Sequence, residues 1–431
     1  MLPKNFRIVA FSRRPMSDAD YHKFIADEQK ARKLPILKGP EFKKFLKIVS
    51  YQQGFFDEAE SYKNLKRALI ALDKKTFKHC SNKLFYLAVP PDLYPQILTN
   101  ISAYGLTIAC SDGDGWTRIL IEKPFGRDDE AAKKLDMLLG KLFREEQIFR
   151  IDHYLAKETL QNILMFRFSN TLFEPIWNNQ FIEKVEIKID EKLDTEGRGA
   201  FYDKTGALKD VGQNHLLRML ALIAMENPQT MDAASIRQKR SQVMKVLDPI
   251  DRKNISKQTV RGQYLGYKNE EGVTKNSTTE TYFKIKAHIS NKRWNGVPFY
   301  MESGKGMKET KAEILVYLKV GIGTATQNII KFNIQPQEGI SILFWAKKPG
   351  LFSTLEPHDL HFNYDESVGK GKTVQAYERV LFDCIKGDQT FFASTEEVLA
   401  SWKFVTPIIE NWKKTKLHAY KKGSLGPKTQ L

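Results

Sequence analysis

Strand-length apolar runs alternate with helix-spaced segments over the first third of the chain. RIVAF (7–11) is a short apolar run followed by the polar SRRPMSDAD. LKRALIALDKKT (65–76) carries its apolar residues at helical spacing, and KLFYLAVPP (83–91) is an apolar run stopped by two prolines. DLYPQILTNISAYGL (92–106) returns to helical spacing, RILIEKPFG (118–126) reads as another strand, and DDEAAKKLDMLLGKLFREEQ (128–147) as a long amphipathic helix. Fully apolar strands alternating with helices predict a parallel sheet covered on both faces.

The pattern changes after residue 150. EKVEIKIDE (183–191) alternates strictly, with Val185, Ile187 and Ile189 on one face, which predicts a half-buried strand. TETYFKIKAHI, AEILVYLKV and KFNIQPQEGISILFW repeat the theme, joined by polar stretches such as YKNEEGVTKNSTTE (267–280) in place of regular helices. A large, mostly antiparallel sheet is expected. HYLAKETLQNILMFRF (153–168) and LKDVGQNHLLRMLALIAM (208–225) interrupt it as helices, and YKKGSLGPKTQL at the end is expected to be a loose tail.

Composition narrows the class. A chain of 431 residues with 42% hydrophobic positions can form two domains with a sizeable core and is too apolar for disorder. No apolar run approaches the roughly 18 residues of a membrane helix, and MLPKNFRIVAFSRR lacks a signal-peptide core. Cys80, Cys110 and Cys384 are widely spaced and odd in number, which predicts neither a disulfide framework nor a zinc site and fits a reducing cytosol. The net charge of +17 is either surface solubility or the mark of an anionic partner. Basic residues run along the whole length without an arginine-rich arm or interleaved aromatics. That favours phosphate-bearing small molecules over nucleic acid.

Three stretches carry chemistry. In RIDHYLAKE (150–158) a helix starting near Asp152 would put His153 and Lys157 on one face, with Asp152 as N-cap. Such a face is a cradle for phosphate, and equally a capped helix with solvated polar residues; this stretch alone favours the second. In KDVGQNHLLRML (209–220) His215 is either a satisfied core histidine or a general base held by a carboxylate, and spacing does not choose. Lys123 in EKPFG lies at the carboxyl end of a strand, where open parallel sheets bind ligands. Glu191 extends the apolar stripe of its strand, so its carboxylate needs a hydroxyl or cationic partner.

RIDHYLAKETLQN, IEKPFGRD, TEGRGAFYDKTGALKDVGQNHL (195–216), RWNGVPF (293–299), SGKGMKETKAE (303–313) and YKKGSLGP (420–427) together resemble the glucose-6-phosphate dehydrogenase family, over residues 2 to 427. NKLFYLAVPPDLY (82–94) and AYERVLFDCIKGDQTFF (376–392) resemble it too. The resemblance implies an α/β plus α+β fold, with an NADP-binding Rossmann-type domain over 1–149 and a substrate-binding and dimerisation domain over 150–431. It implies oxidation of glucose 6-phosphate to 6-phosphoglucono-1,5-lactone with hydride transfer to NADP, the first step of the oxidative pentose phosphate pathway. His215 matches the family's base and Asp152 the carboxylate that orients it. His153, Tyr154 and Lys157 match the residues that hold the substrate phosphate. Glu191, Asp210 and Lys305 match further substrate contacts, Lys123 a lysine that meets substrate and cofactor, and Arg13 the arginine on the adenosine 2′-phosphate. A cytoplasmic homodimer or homotetramer without nucleic-acid or membrane partners is implied.

There are departures. The family's first strand, its G-x-x-G-D-L-A loop and first helix have no counterpart, and no G-x-x-G-D occurs anywhere. In a sheet of order 3-2-1-4-5-6 the first strand is central, so the strands at 7–11 and 83–89 are expected to have no partner between them. On this reading the chain is an incomplete version of a longer protein, binding NADP poorly and turning over little. Thr310 stands where the family has a basic residue, and RIDHYLGKE has become RIDHYLAKE. A cofactor-deficient relative that binds sugar phosphate as a regulatory protein is the alternative, and a basic nucleic-acid-binding protein a distant third.

Overall fold

The computed structural model describes residues 5–31, 39–108, 115–321, 325–369, 374–429 and 431. The chain forms two compact units, one of Met1–Glu122, Leu135–Phe149 and Cys384–Lys386, the other of Lys123–Lys134, Arg150–Asp383 and Gly387–Leu431.

In the first unit β1 (Ile8–Ser12) and β2 (Val49–Gln53) form a parallel pair. A separate three-stranded sheet contains β3 (Lys83–Leu87), β4 (Thr117–Ile121) and β5 (Ile148–Arg150), with β3 and β4 parallel. The predicted strands at 7–11, 83–91 and 118–126 are β1, β3 and β4. Among the described residues no strand pairs with the other edge of β1 or of β3. β2, VSYQQ, escaped the sequence reading because only Val49 of its five residues is fully buried, which leaves no apolar run. The helices Ala59–Leu72 and Tyr94–Ala103 bury Tyr62, Leu65, Tyr94 and Leu98 in the same unit as the fully apolar centre of β4, Ile119, Leu120 and Ile121. Tyr94 donates its hydroxyl to the Glu122 carbonyl at 3.0 Å, so the ring is buried without stranding its polar end.

Cys80 is disulfide-bonded, which corrects the expectation drawn from the cysteine spacing. Spacing along the chain does not say which cysteines a fold brings together. Cys384 is a buried thiol, and Cys110 lies outside the described residues.

The second unit is built on a nine-stranded sheet. Its strands are β6 (Ile182–Glu191), β7 (Thr259–Tyr264), β8 (Tyr282–Ala287), β9 (Phe299–Lys305), β10 (Lys311–Leu318), β11 (Ile329–Gln335), β12 (Gly339–Lys347), β13 (Leu355–Asn363) and β14 (Leu417–Tyr420). The order is β13-β12-β11-β10-β6-β9-β8-β7-β14, antiparallel throughout except for β6–β9 and β7–β14. The alternation in β6 does what its period requires: Val185, Ile187 and Ile189 enter the core while Lys184, Glu186 and Lys188 face the other way.

Against that core lies the helix Leu217–Ala224, in which every residue is buried. A helix end so placed needs protein partners for its last carbonyls. Arg167 donates to the carbonyls of Leu222 and Ile223 at 3.3 and 2.9 Å, Trp177 to Ile223 at 2.8 Å, and Trp294 to Ala224 at 2.8 Å. These bonds fix the helix along its axis, and with it the segment at its other end that carries His215.

The tail is not loose. β14 pairs with β7, and residues 420–424 hydrogen-bond to the turn after β9. Low hydrophobicity at 421–424 hid this, because the docking runs through hydrogen bonds and the ion pairs of Lys422 and not through apolar burial.

Candidate active site

RIDHYLAKE does not start a helix. The helix begins at Glu158, with Lys157 in extended geometry before it, and His153–Ala156 form a turn. Asp152 is therefore no helix N-cap. Its Oδ1 accepts from the Tyr154 backbone N–H at 3.1 Å, and the turn closes through Leu155 N–H to the Asp152 carbonyl at 3.0 Å. The helical spacing failed because the local side-chain-to-backbone bond competes with helix formation. His153 and Lys157 still converge: the rings of His153 and Tyr154 lie 5.0 Å apart, and the Lys157 ammonium lies 5.1 Å from the Tyr154 ring centre. The Tyr154 hydroxyl donates to Gln335 at 3.3 Å.

The other half is LKDVGQNHL. Residues Leu208–Leu216 form a π-helical segment that runs directly into the buried helix. π-Segments are rare and frequent at functional sites. Gly212 is required here: a Cβ would lie 2.6 Å from Leu208 Cδ1 and 2.7 Å from the Phe283 ring. The wider winding brings His215 to Asp152, with Nδ1 2.6 Å from Oδ1 and both residues 2–3% exposed. With Nδ1–H donating to the carboxylate, the neutral ring presents Nε2 as a proton acceptor.

Electrostatics prepare both groups. Burial pushes the His215 imidazole below its ordinary range, Asp152 opposes that, and Lys123 reinforces it. Burial would raise Asp152, but His215 beside it, with His153 and Arg218, holds the carboxyl well below the usual carboxylate range. Burial, and then the charge of His215, push His153 down to about 3. At neutral pH the dyad is thus a neutral imidazole on a fixed carboxylate.

The remaining candidates of this unit join the same group. Lys123 Nζ donates to the Asp210 carbonyl at 2.7 Å and its Oδ1 at 3.1 Å. Lys305 is ion-paired with Glu191, its partner across β9 and β6. Sequence reasoning missed Tyr202, which is buried, with the Lys305 ammonium 5.3 Å from its ring centre. It lay within a quoted motif, but an aromatic residue in an apolar setting gives no signal of its own. Thr310 contributes its hydroxyl to the Lys192 N–H at 3.1 Å, a backbone role.

Arg13 belongs to the first unit. It follows β1 directly, and both Arg13 and Arg14 are exposed. Tyr51 donates its hydroxyl to the Arg14 carbonyl at 2.5 Å and Gln53 its side-chain amide to the Arg13 carbonyl at 3.2 Å. The guanidiniums lie 5.7 Å from the Phe56 ring and 5.5 Å from the Phe24 ring. Two oriented arginines at the carboxyl end of a parallel strand fit a phosphate monoester such as the adenosine 2′-phosphate of NADP.

Residues 1–162 match the family model "Glucose-6-phosphate dehydrogenase, NAD binding domain", and residues 164–431 match "Glucose-6-phosphate dehydrogenase, C-terminal domain". The chain belongs to the glucose-6-phosphate dehydrogenase family. It is 38% identical to the glucose-6-phosphate 1-dehydrogenase of Borreliella burgdorferi, over 98% of this chain and 89% of that one. It is 37% identical to a cytoplasmic glucose-6-phosphate 1-dehydrogenase of Arabidopsis thaliana, over 99% and 83%. A glucose-6-phosphate dehydrogenase solved in complex with its substrate glucose 6-phosphate superposes with a TM-score of 0.88 at 32% identity, covering 98% of this chain and 88% of that one. The Mycobacterium avium enzyme gives 0.85 at 29% identity, with the same coverage. The chain is an oxidoreductase of this type, with the nucleotide-binding and mixed-sheet domains of the family.

Proposed function

We propose that the chain oxidises glucose 6-phosphate to 6-phosphoglucono-1,5-lactone, opening the oxidative pentose phosphate pathway, with His215 as the base. The observation that carries the assignment is the 2.6 Å contact of His215 Nδ1 with Asp152, which leaves Nε2 to take the C1 hydroxyl proton. Asp152 fixes the tautomer and stabilises the imidazolium that forms. Bound NADP supplies the hydride acceptor. Tyr154, His153 and Lys157 hold the sugar phosphate; the lowered imidazole of His153 makes its contribution a neutral hydrogen bond while Lys157 carries the charge. Glu191, Asp210 and Lys305 bind sugar hydroxyls, and Lys123, seated on Asp210, serves substrate and cofactor. Arg13 holds the 2′-phosphate. Domains of about 1–149 and 150–431 divide these tasks between nucleotide and sugar.

We further propose a homodimer or homotetramer. The exposed apolar Leu360 and Phe362 on β13, the edge strand of the large sheet, support it. A cytoplasmic location rests on the Arabidopsis relative's name. The Cys80 disulfide counts against it, and the distribution of a tagged protein between cell fractions decides. Among the described residues no helix is long and apolar enough to cross a membrane.

The function is tested by following NADPH absorbance with glucose 6-phosphate, free glucose and no sugar. NADPH formation that depends on glucose 6-phosphate and is far weaker with glucose is expected. Binding of glucose 6-phosphate without any turnover would replace the enzyme by a binding protein.

A further inference from the structure

Lys305 sits at the end of β9, where the chain turns through Gly306 and Met307. One side of this turn is held by the end of β6: Gly306 N–H donates to the Leu193 carbonyl and Met307 N–H to the Glu191 carbonyl, both at 2.9 Å. The other side is held by the C-terminal segment. Lys308 N–H donates to the Ser424 carbonyl at 2.9 Å, and Gly423 N–H to the Gly306 carbonyl at 2.7 Å. Gly306 takes φ +63°, and a Cβ there would lie 3.3 Å from the Lys422 side chain, so turn and tail are fitted to each other. Lys422 anchors the tail on Asp194 at 2.6 Å and Glu270 at 3.2 Å.

At the centre is a network of hydrogen bonds through buried hydroxyls. Tyr264 N–H donates to Thr281 Oγ1 at 3.0 Å. Thr281 Oγ1 and the Tyr420 hydroxyl are 2.8 Å apart, and the Tyr420 hydroxyl reaches the Lys305 carbonyl at 2.7 Å. Either hydroxyl of this pair can donate to the other, and the Tyr420 hydroxyl also lies 3.1 Å from the Thr281 carbonyl, farther than from that of Lys305. Lys305 N–H returns to the Thr281 carbonyl at 2.9 Å. Thr281 is 0% exposed and Tyr420 4%, so water does not compete for these bonds. The backbone of Lys305 is therefore gripped at its N–H and its carbonyl, while Glu191 and the Tyr202 ring orient the ammonium.

We propose that the C-terminal segment 417–427 is a positioning element of the sugar site, and that Tyr420 is the positioning residue through which it sets Lys305. The proposal rests on the reading of Lys305 as a substrate contact. A sheet-end turn fixed on one side only pivots about its strand, and the ammonium is at the far end of a long side chain. A small rotation at the carbonyl becomes a large displacement there. Loss of alignment weakens sugar binding without touching the base.

The test is a double-mutant cycle on the full chain. Tyr420→Phe keeps the ring and removes one hydroxyl; it should raise KM for glucose 6-phosphate about 2- to 12-fold, the span of one buried hydrogen bond, with kcat and KM for NADP little changed. In a Lys305→Ala background the same substitution should have no further effect on KM, a result that general loosening of the fold would not give. Thr281→Val removes the other hydroxyl of the network and should reproduce the pattern if Tyr420→Phe folds poorly. An unchanged KM in both variants, or an equal loss with and without Lys305, overturns the proposal while leaving Lys305 in the site. A Lys305→Ala enzyme with normal KM removes Lys305 from the sugar site and the clamp with it.

Discussion

Two regions of this protein are read as phosphate sites, and they hold their positive charge differently. At His153, Tyr154 and Lys157 the groups are half-buried or buried around one aromatic ring, and burial lowers both His153 and Lys157 from their ordinary values. At Arg13 and Arg14 the guanidiniums are exposed, resting on Phe56 and Phe24, and only their backbone is tied down. The first arrangement is preorganised and partly withdrawn from solvent, so each contact is strong and geometry matters. The second is screened by solvent and salt, an arrangement suited to selection between anions rather than to alignment for chemistry.

Breaking the buried region at its base should give the largest effect. His215→Asn should lower kcat on the order of 10²–10⁴-fold while glucose 6-phosphate binding stays near normal, as read from steady-state rates and a binding titration. Asp152→Asn should follow, because an amide does not hold the same tautomer. Wild-type turnover in His215→Asn would move the base elsewhere.

Lys157→Ala should come next, raising KM for glucose 6-phosphate by the equivalent of about 3 kcal/mol, with His153→Ala somewhat below it. Neither should affect the weak use of free glucose as much, since glucose lacks the phosphate. Equal losses on both sugars would take these residues out of the phosphate site.

Arg13→Ala should be milder, about 1.5 kcal/mol on NADP binding and little on NAD, because the lost contact is exposed. Raising the salt should shrink the Arg13 effect and leave the Lys157 effect nearly intact. If both respond alike to salt, the contrast between the two regions is wrong.

The last predictions concern pH, and near neutrality their effects are the smallest. The neutral form of His215 is the base, and its proton affinity is lowered, so kcat/KM should hold level below pH 6.5 before falling. Folded His153 binds its proton only near pH 3, whereas the unfolded chain takes one near 6.5. Its contribution to stability is therefore complete above 6.5 and is lost as the pH falls from there toward 3. Denaturant midpoints across that window should decline in the wild type and less steeply in His153→Asn.

Much of the fold was legible because periodicity reports burial directly. The strict alternation of EKVEIKIDE is β6, and the continuous apolar run at RILI is β4 with both faces covered. β2 was not legible, because its residues are mostly half-buried and polar. The candidate site came from motifs matched to a family, and the local geometry offered for them was wrong at Asp152, which closes a turn instead of capping a helix. The tail was misread because it is held by hydrogen bonds and by the Lys422 ion pairs and not by a run of apolar residues, so periodicity carries no trace of it.

What the sequence determined by itself is the kind of residue available at each place: which stretches are apolar enough to be buried, and where imidazole, carboxylate and ammonium groups occur. That follows from transfer free energies and side-chain chemistry, which belong to the residue. What only the tertiary structure decided is which of them meet. His215 and Asp152 are 63 positions apart, and Tyr420 and Lys305 are 115 apart. A π-helical segment pinned by a buried helix, and a tail paired with β7, bring these groups within hydrogen-bonding distance. Such contacts cost chain entropy that no local stretch can offset, so they form only when the whole core is in place.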